Sequence, residues 1–181
     1  GEHTIIAGGD QGCDPHQVGF GPLHAHETII IDIFPRDETS GYYGDLTRTV
    51  CKGQASAAMQ RLYQTVLEAQ QLGLDQIRPG AKGRSIHESL QKFFVDAGYE
   101  TGEQDGYMQG YFHGTGHGLG LEIHEGPSIG RRDDVLESGH IVTMEPGLYY
   151  RGTGGVRIED TVVVCEGGYE NLATLPKVFE V

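Results

Sequence analysis

Apolar positions along this chain recur with two spacings, one suited to strands and one to helices. Thr28-Ile-Ile-Ile-Asp32-Ile-Phe34 is short, β-branched and apolar, which predicts a buried strand. Asp45-Leu-Thr-Arg-Thr-Val50 predicts a second strand after the loop Gly41-Tyr-Tyr-Gly44. Strands joined by a short loop tend to pair as antiparallel neighbours, so Asp32 and Asp45 are expected in one place. His3 to Ala7 predicts a short strand, and Gly8 to Gly21 a loop. Ser138 to Tyr150 and Val156 to Val164 predict an outgoing and a returning strand, joined by a hairpin turn at Arg151-Gly-Thr-Gly-Gly155. Helical spacing appears twice. Met59, Leu62, Tyr63, Val66 and Leu67 mark a helix over 56–76. Ile86, Leu90, Phe93, Phe94 and Ala97 mark another over 84–97, with Gly98 as its stop. Both helices are expected to pack rather than to carry chemistry.

Carboxylates interrupt this pattern. Asp32 stands inside an apolar strand, where a charge is costly unless it is paired or metal-bound. Glu145 and Glu159 fall on the second strand pair and mirror Asp32 and Asp45. The segment His113-Gly-Thr-Gly-His117-Gly-Leu-Gly-Leu-Glu-Ile-His124-Glu adds three histidines among glycines that permit close backbone approach. Four carboxylates with His117 make a five-ligand pocket with room for two ions. The set is too oxygen-rich for a structural zinc site. It suits two divalent ions about 3.5–4 Å apart, an arrangement used in hydrolysis. His16, His113 and His124 are the candidates for moving protons and holding an oxyanion beside the ions. His3, His24, His26, His87 and His140 read as solvated or as satisfied core residues.

Composition narrows the classes. The chain has 181 residues, 37% hydrophobic and 22% charged, which fits one globular domain. A formal charge of −13 argues against nucleic acid and anionic membranes as partners. No apolar run is long enough to span a bilayer. Cys13, Cys51 and Cys165 are odd in number and widely spaced, so a reducing cytoplasm is expected, with Cys165 a small buried hydrophobe.

The segments His113-Gly-Thr-Gly-His117-Gly-Leu-Gly, Ile-His124-Glu, Glu145-Pro-Gly-Leu-Tyr and Arg157-Ile-Glu159-Asp resemble the pita-bread metallopeptidases, in the Xaa-Pro dipeptidase (prolidase) and aminopeptidase P branch. Asp32, Gly44-Asp45-Leu-Thr-Arg-Thr and Cys13-Asp-Pro-His16 match its paired aspartates and its upstream histidine. The resemblance implies an α+β, creatinase/aminopeptidase-like fold: a curved antiparallel sheet with helices on its outer face. It implies two divalent ions, manganese first, with cobalt or zinc as options. Asp32 would bind one ion through both oxygens, Asp45 and Glu159 would bridge, and His117 and Glu145 would complete the second. Glu145 would also take the proton of a bridging water. His16 and His124 would hydrogen-bond the scissile carbonyl, and His113 and Arg157 would line the pocket around proline. The implied activity is hydrolysis of the Xaa-Pro bond of dipeptides or peptide N-termini by a metal-bridged hydroxide, in a homodimer at full length.

A methionine aminopeptidase-like enzyme, a metal-free relative of the same fold and a non-catalytic interaction module are the alternatives. The Glu145-Pro-Gly-Leu-Tyr and Arg157-Ile-Glu-Asp contexts favour the proline branch. By the family's pattern, residues 1–181 are a metallopeptidase catalytic domain that lacks its first helices and strand and any separate N-terminal domain. The interval from Asp32 to Asp45 is slightly longer than usual, which would reshape the pocket rim.

Overall fold

A computed structural model describes residues 4–181. In chain order the strands are β1 (Ile5–Gly8), β2 (Thr28–Ile33), β3 (Leu46–Cys51), β4 (Gly102–Gln104), β5 (Tyr107–Gln109), β6 (Gly116–Gly118), β7 (Glu125–Ile129), β8 (Ile141–Met144), β9 (Gly147–Tyr150), β10 (Gly154–Arg157), β11 (Asp160–Cys165) and β12 (Gly168–Asn171). The helices α1 (Ala57–Leu74) and α2 (Gly83–Asp96) lie between β3 and β4.

The first sheet has the order β1-β2-β3, antiparallel throughout. Side chains alternate across it with period two. Register places Ile5 opposite Asp32 and Asp32 opposite Thr47, with Ala7, Ile30 and Thr49 in the next row. All six are buried, so Asp32 sits on the inward face among apolar neighbours. A five-stranded antiparallel sheet has the order β12-β11-β8-β6-β7, and β9 pairs with β10 in a separate ribbon. The helices cover this second half. Leu62 and Val66 of α1 and Leu90 and Phe94 of α2 join Val142, Met144, Leu148, Val156 and Val162 in one apolar cluster. Ser56 caps α1 by accepting the Met59 amide at 3.2 Å, a contact that contributes about 1 kcal/mol. Gly98 follows α2 at φ 88°, a conformation glycine adopts without strain.

The helices, the β2–β3 pairing and the hairpin turn agree with the sequence reading. Four points differ. The first strand runs Ile5–Gly8, beginning after Thr4 and ending one residue beyond Ala7, while His3 lies outside the described residues. Gly9–Cys13, read as loop, closes a turn of 3-10 helix. Ala97 is exposed rather than packed, because α2 has already ended. Cys165 is only half-buried, while Cys13 and Cys51 are the buried cysteines.

The largest difference concerns the two long strands. The stretch 138–150 breaks into β8 and β9 at Glu145-Pro146, and 156–164 breaks into β10 and β11 at Ile158-Glu159. Pro146 has no amide to donate to a ladder, so the strand leaves its sheet there. The breaks face each other: Asp160 pairs with Met144 on one side and Arg157 with Gly147 on the other.

Candidate metal centre

Those facing breaks free two backbone amides for other partners. Glu145 donates its N–H to Thr115 O at 2.7 Å, and Glu159 donates to Thr47 O at 3.0 Å. Each glutamate is thereby tied to a different segment, one carrying the histidines and one carrying Asp45. The result is a cavity of about 670 Å³ lined by Asp32, Asp45, His117, Glu145 and Glu159. His16, His113, His124 and Arg157 line the same cavity, so all nine residues singled out in the sequence meet in it.

β3 stitches the two halves of the site together. The Thr47 hydroxyl donates to Glu159 Oε2 at 2.7 Å, and the Thr49 hydroxyl donates to Arg157 O at 2.8 Å. Between them, buried Arg48 donates to Glu159 O at 2.5 Å and to Asp160 Oδ1 at 2.8 Å. Asp160 also accepts Lys177 at 2.6 Å, which holds its carboxyl below the usual range despite burial. The glycines around His117 have a local cause. A Cβ on Gly116 would lie 2.0 Å from Thr143 O, and one on Gly118 would lie 2.2 Å from Gly126 O. Only glycine lets β6 slide between β7 and β8 with His117 aimed at the carboxylates.

Hydrogen bonding accounts for the different roles expected of His117 and His113. His117 Nδ1 lies 3.1 Å from Gly118 O. A carbonyl only accepts, so the proton is on Nδ1 and Nε2 carries a lone pair. That Nε2 faces Glu145 Oε1 at 3.4 Å and Asp45 Oδ2 at 3.6 Å. Burial lowers the imidazole pKa to about 4, so these contacts are not ion pairs at neutral pH. Two carboxyl groups and an imidazole lone pair converge on one point, an arrangement that a cation would satisfy.

His113 also donates from Nδ1, to Gly114 O at 2.6 Å, but its Nε2 accepts from the Tyr149 hydroxyl at 2.7 Å. Arg157 donates to that hydroxyl at 3.1 Å and to Asp32 Oδ2 at 2.7 Å. The chain of donors runs Arg157 to Tyr149 to His113, so His113 has no lone pair left for an ion. Burial lowers its pKa to about 3, with Arg157 adding to the effect.

The carboxylates are strained by one another. Burial, then Asp32 and Glu145, push Asp45 up to about 8. Burial raises Glu145 to about 7, against the opposing pull of Arg157. Burial and the Asp45 charge push Glu159 well above its ordinary value. Asp32 Oδ1 is buried with no hydrogen-bond partner among the described residues. Ligand atoms of Asp45, His117 and Glu159 lie within 4.8 Å of one another. Hard oxygen donors, one imidazole with a free Nε2 and an orphaned carboxylate oxygen fit divalent cations of the manganese, cobalt or zinc type.

The sequence reading gave no role to Tyr149, Thr47 or Arg48. Tyr149 ends the Glu145-Pro-Gly-Leu-Tyr segment, and Thr47 and Arg48 lie inside Gly44-Asp45-Leu-Thr-Arg-Thr, so their adjacency to ligand candidates was the available signal.

Residues 1–166 match the model of metallopeptidase family M24. The chain belongs to this family. An uncharacterized peptidase, YqhT, of Bacillus subtilis is 38% identical over 175 residues, covering 96% of this chain and 47% of that protein. A Xaa-Pro dipeptidase of Pyrococcus furiosus is 35% identical over 171 residues, covering 93% and 46%. Among solved structures, X-Pro aminopeptidase from Thermotoga maritima superposes with a TM-score of 0.88 at 36% identity, covering 98% of this chain and 49% of that one. Prolidase from Pyrococcus furiosus gives 0.86 at 34% identity, covering 96% and 49%. The chain spans about half the length of the relatives it matches. These likenesses bear out the pita-bread expectation. Among the described residues, no helix is long and apolar enough to cross a membrane.

Proposed function

We propose that the chain is the catalytic domain of a metal-dependent exopeptidase that cleaves the bond between an N-terminal residue and proline. The observation that carries this reading is the convergence of four carboxylates and a lone-pair imidazole on one cavity, with Asp32 Oδ1 unpartnered among the described residues. Asp32, Asp45, His117, Glu145 and Glu159 would hold two divalent cations, manganese by preference. When bound, such a pair lowers the pKa of water and polarises a carbonyl oxygen.

The chain's own residues divide the remaining work. Thr47 fixes Glu159 and Arg157 fixes Asp32, so those carboxylates keep one orientation. The Glu145 carboxylate takes the proton released by the attacking water, in a setting that already raises its proton affinity. His16 and His124 stand exposed on the cavity wall and donate to the scissile carbonyl as negative charge develops on it. His113, held by Tyr149, presents its ring rather than a polar atom, which suits a wall against proline. Arg157 is a buried support of that wall. In the full-length protein we assign a cytoplasmic homodimer acting on proline-containing peptides.

The test is hydrolysis of a panel of Xaa-Pro dipeptides and longer Xaa-Pro peptides after chelation and add-back of manganese, cobalt or zinc. Turnover restored by metal and confined to substrates with proline in the second position is expected. Cleavage of Met-Ala peptides in preference to Xaa-Pro peptides, or metal-independent turnover, overturns the reading.

A further inference from the structure

Behind the cavity wall, three buried polar side chains meet inside the apolar core. His87 of α2 is 3% exposed, Tyr111 2% and Thr115 0%. His87 Nδ1 lies 2.8 Å from Thr115 Oγ1 and 3.3 Å from the Tyr111 hydroxyl, and the two hydroxyls hydrogen-bond each other. None of the three lines the cavity. A polar triangle in a core stabilises only if every member is satisfied, and removing one partner leaves the others desolvated. Apolar packing would fill the same space between α2 and the sheet, where Phe94 already packs edge-on against Tyr111 at 5.0 Å.

The placement of Thr115 gives the triangle a consequence. It stands midway between His113 and His117, and its two backbone groups are both in use. Its N–H donates to Ile129 O at 2.8 Å, and its carbonyl accepts the Glu145 amide at 2.7 Å. Tyr111 lies two residues before His113, with its ring against that imidazole at 5.6 Å. The side-chain hold on Thr115 and Tyr111 therefore fixes the backbone from which both His117 and Glu145 are hung.

We propose that His87 is a positioning residue for the metal centre. Through Nδ1 it locks Thr115 and Tyr111, and so sets the separation of His117 Nε2 from the Glu145 carboxylate. The inference rests on the reading that those two groups bind a divalent cation, and His87 itself touches neither ion nor substrate. Residues that orient ligands from behind change metal affinity by about 10- to 100-fold when altered.

Three substitutions separate this role from simple packing. His87→Asn keeps a polar atom where Nδ1 stands, His87→Gln keeps one where Nε2 stands, and His87→Leu keeps neither. Manganese affinity is measured by titration calorimetry, thermal unfolding is followed in parallel, and exchange of the Glu145 amide is read in metal-free chain. The expected result is affinity within threefold of the parent for Asn and about 10- to 100-fold weaker for Gln and Leu, with faster Glu145 amide exchange in the latter two. A packing role predicts that Gln, the larger side chain, equals or surpasses Asn. That order, or equal affinity in all four proteins, overturns the proposal. If the parent chain binds no manganese, the ligand reading fails and the proposal falls with it.

Discussion

Glu159→Gln is expected to move stability and metal affinity in opposite directions. The substitution keeps the shape and an oxygen able to accept the Thr47 hydroxyl, but removes one negative charge. The ligand atoms of Asp45 and Glu159 lie within 4.8 Å of each other. At an effective dielectric of about 20, two charges at that distance repel by about 3.5 kcal/mol. The sign with pH follows from the raised carboxyls. Each binds its proton more tightly in the folded chain than in the unfolded one, so its contribution is fully present below pH of about 4 and is lost as pH rises through its folded value. Those values are about 8 for Asp45 and about 7 for Glu145, and Glu159 is also raised. In chelator at pH 9, the parent bears either that repulsion or the cost of keeping a proton on Glu159, and the Gln variant should melt higher, by roughly 7–14 °C for a domain of this size if the repulsion alone is relieved. At pH 5 the two should coincide. Manganese at about 100 times its dissociation constant should stabilise the parent by about 2.7 kcal/mol and the variant far less. Differential scanning calorimetry across pH, with and without metal, reads all of these. A variant less stable than the parent at pH 9 in chelator would refute the claimed proximity of the charges. Equal stabilisation of both proteins by manganese would refute the ligand role.

Other substitutions probe the scaffold around the ions. Gly116→Ala should destabilise the chain by several kcal/mol in chemical denaturation, because its Cβ meets Thr143 O at 2.0 Å and both backbones are buried. Tyr149→Phe should cost about 1–3 kcal/mol, since it leaves His113 Nε2 and an Arg157 N–H without their shared partner; an unchanged unfolding midpoint contradicts the donor chain. Arg157→Ala strands the Asp32 carboxylate and should cost about 3–5 kcal/mol in metal-free chain, with added manganese recovering part of the loss. His124→Ala should leave manganese affinity unchanged while lowering kcat about 100-fold or more on an Xaa-Pro dipeptide, and a loss of metal binding would move His124 into the ligand set.

The elements with strong periodicity were readable in the chain itself. Met59 to Leu67 and Ile86 to Phe94 marked helices, and the isoleucine run marked the strand that carries Asp32, although Ile33 is exposed rather than buried. Composition could not reveal that the stretches around Glu145 and Glu159 change sheets. Pro146 was the available signal for the break near Glu145, but Val156-Arg-Ile-Glu-Asp-Thr-Val-Val-Val164 carries no such mark, and only the mutual placement of Pro146 and Ile158 makes the breaks face each other. Strands β6 and β7 carried no strand pattern, because glycines interrupt any alternation there, although Gly116 and Gly118 serve the close backbone approach expected of them. The ligand candidates stood out because carboxylates interrupt apolar runs. His117 was singled out with them, but the physical reason that His113 holds no ion was not readable, because it depends on Tyr149 reaching one imidazole and not the other. His87 shows the same limit, being one of five histidines read as solvated or satisfied core residues until Thr115 and Tyr111 are seen to meet it.

Anomalous diffraction from crystals of this chain grown with manganese bears most directly on the whole account. Two peaks are predicted in the cavity, held between them by the carboxylates of Asp32, Asp45, Glu145 and Glu159, with His117 Nε2 on one of them. Peaks elsewhere on the surface, or an empty cavity at saturating manganese, would contradict it.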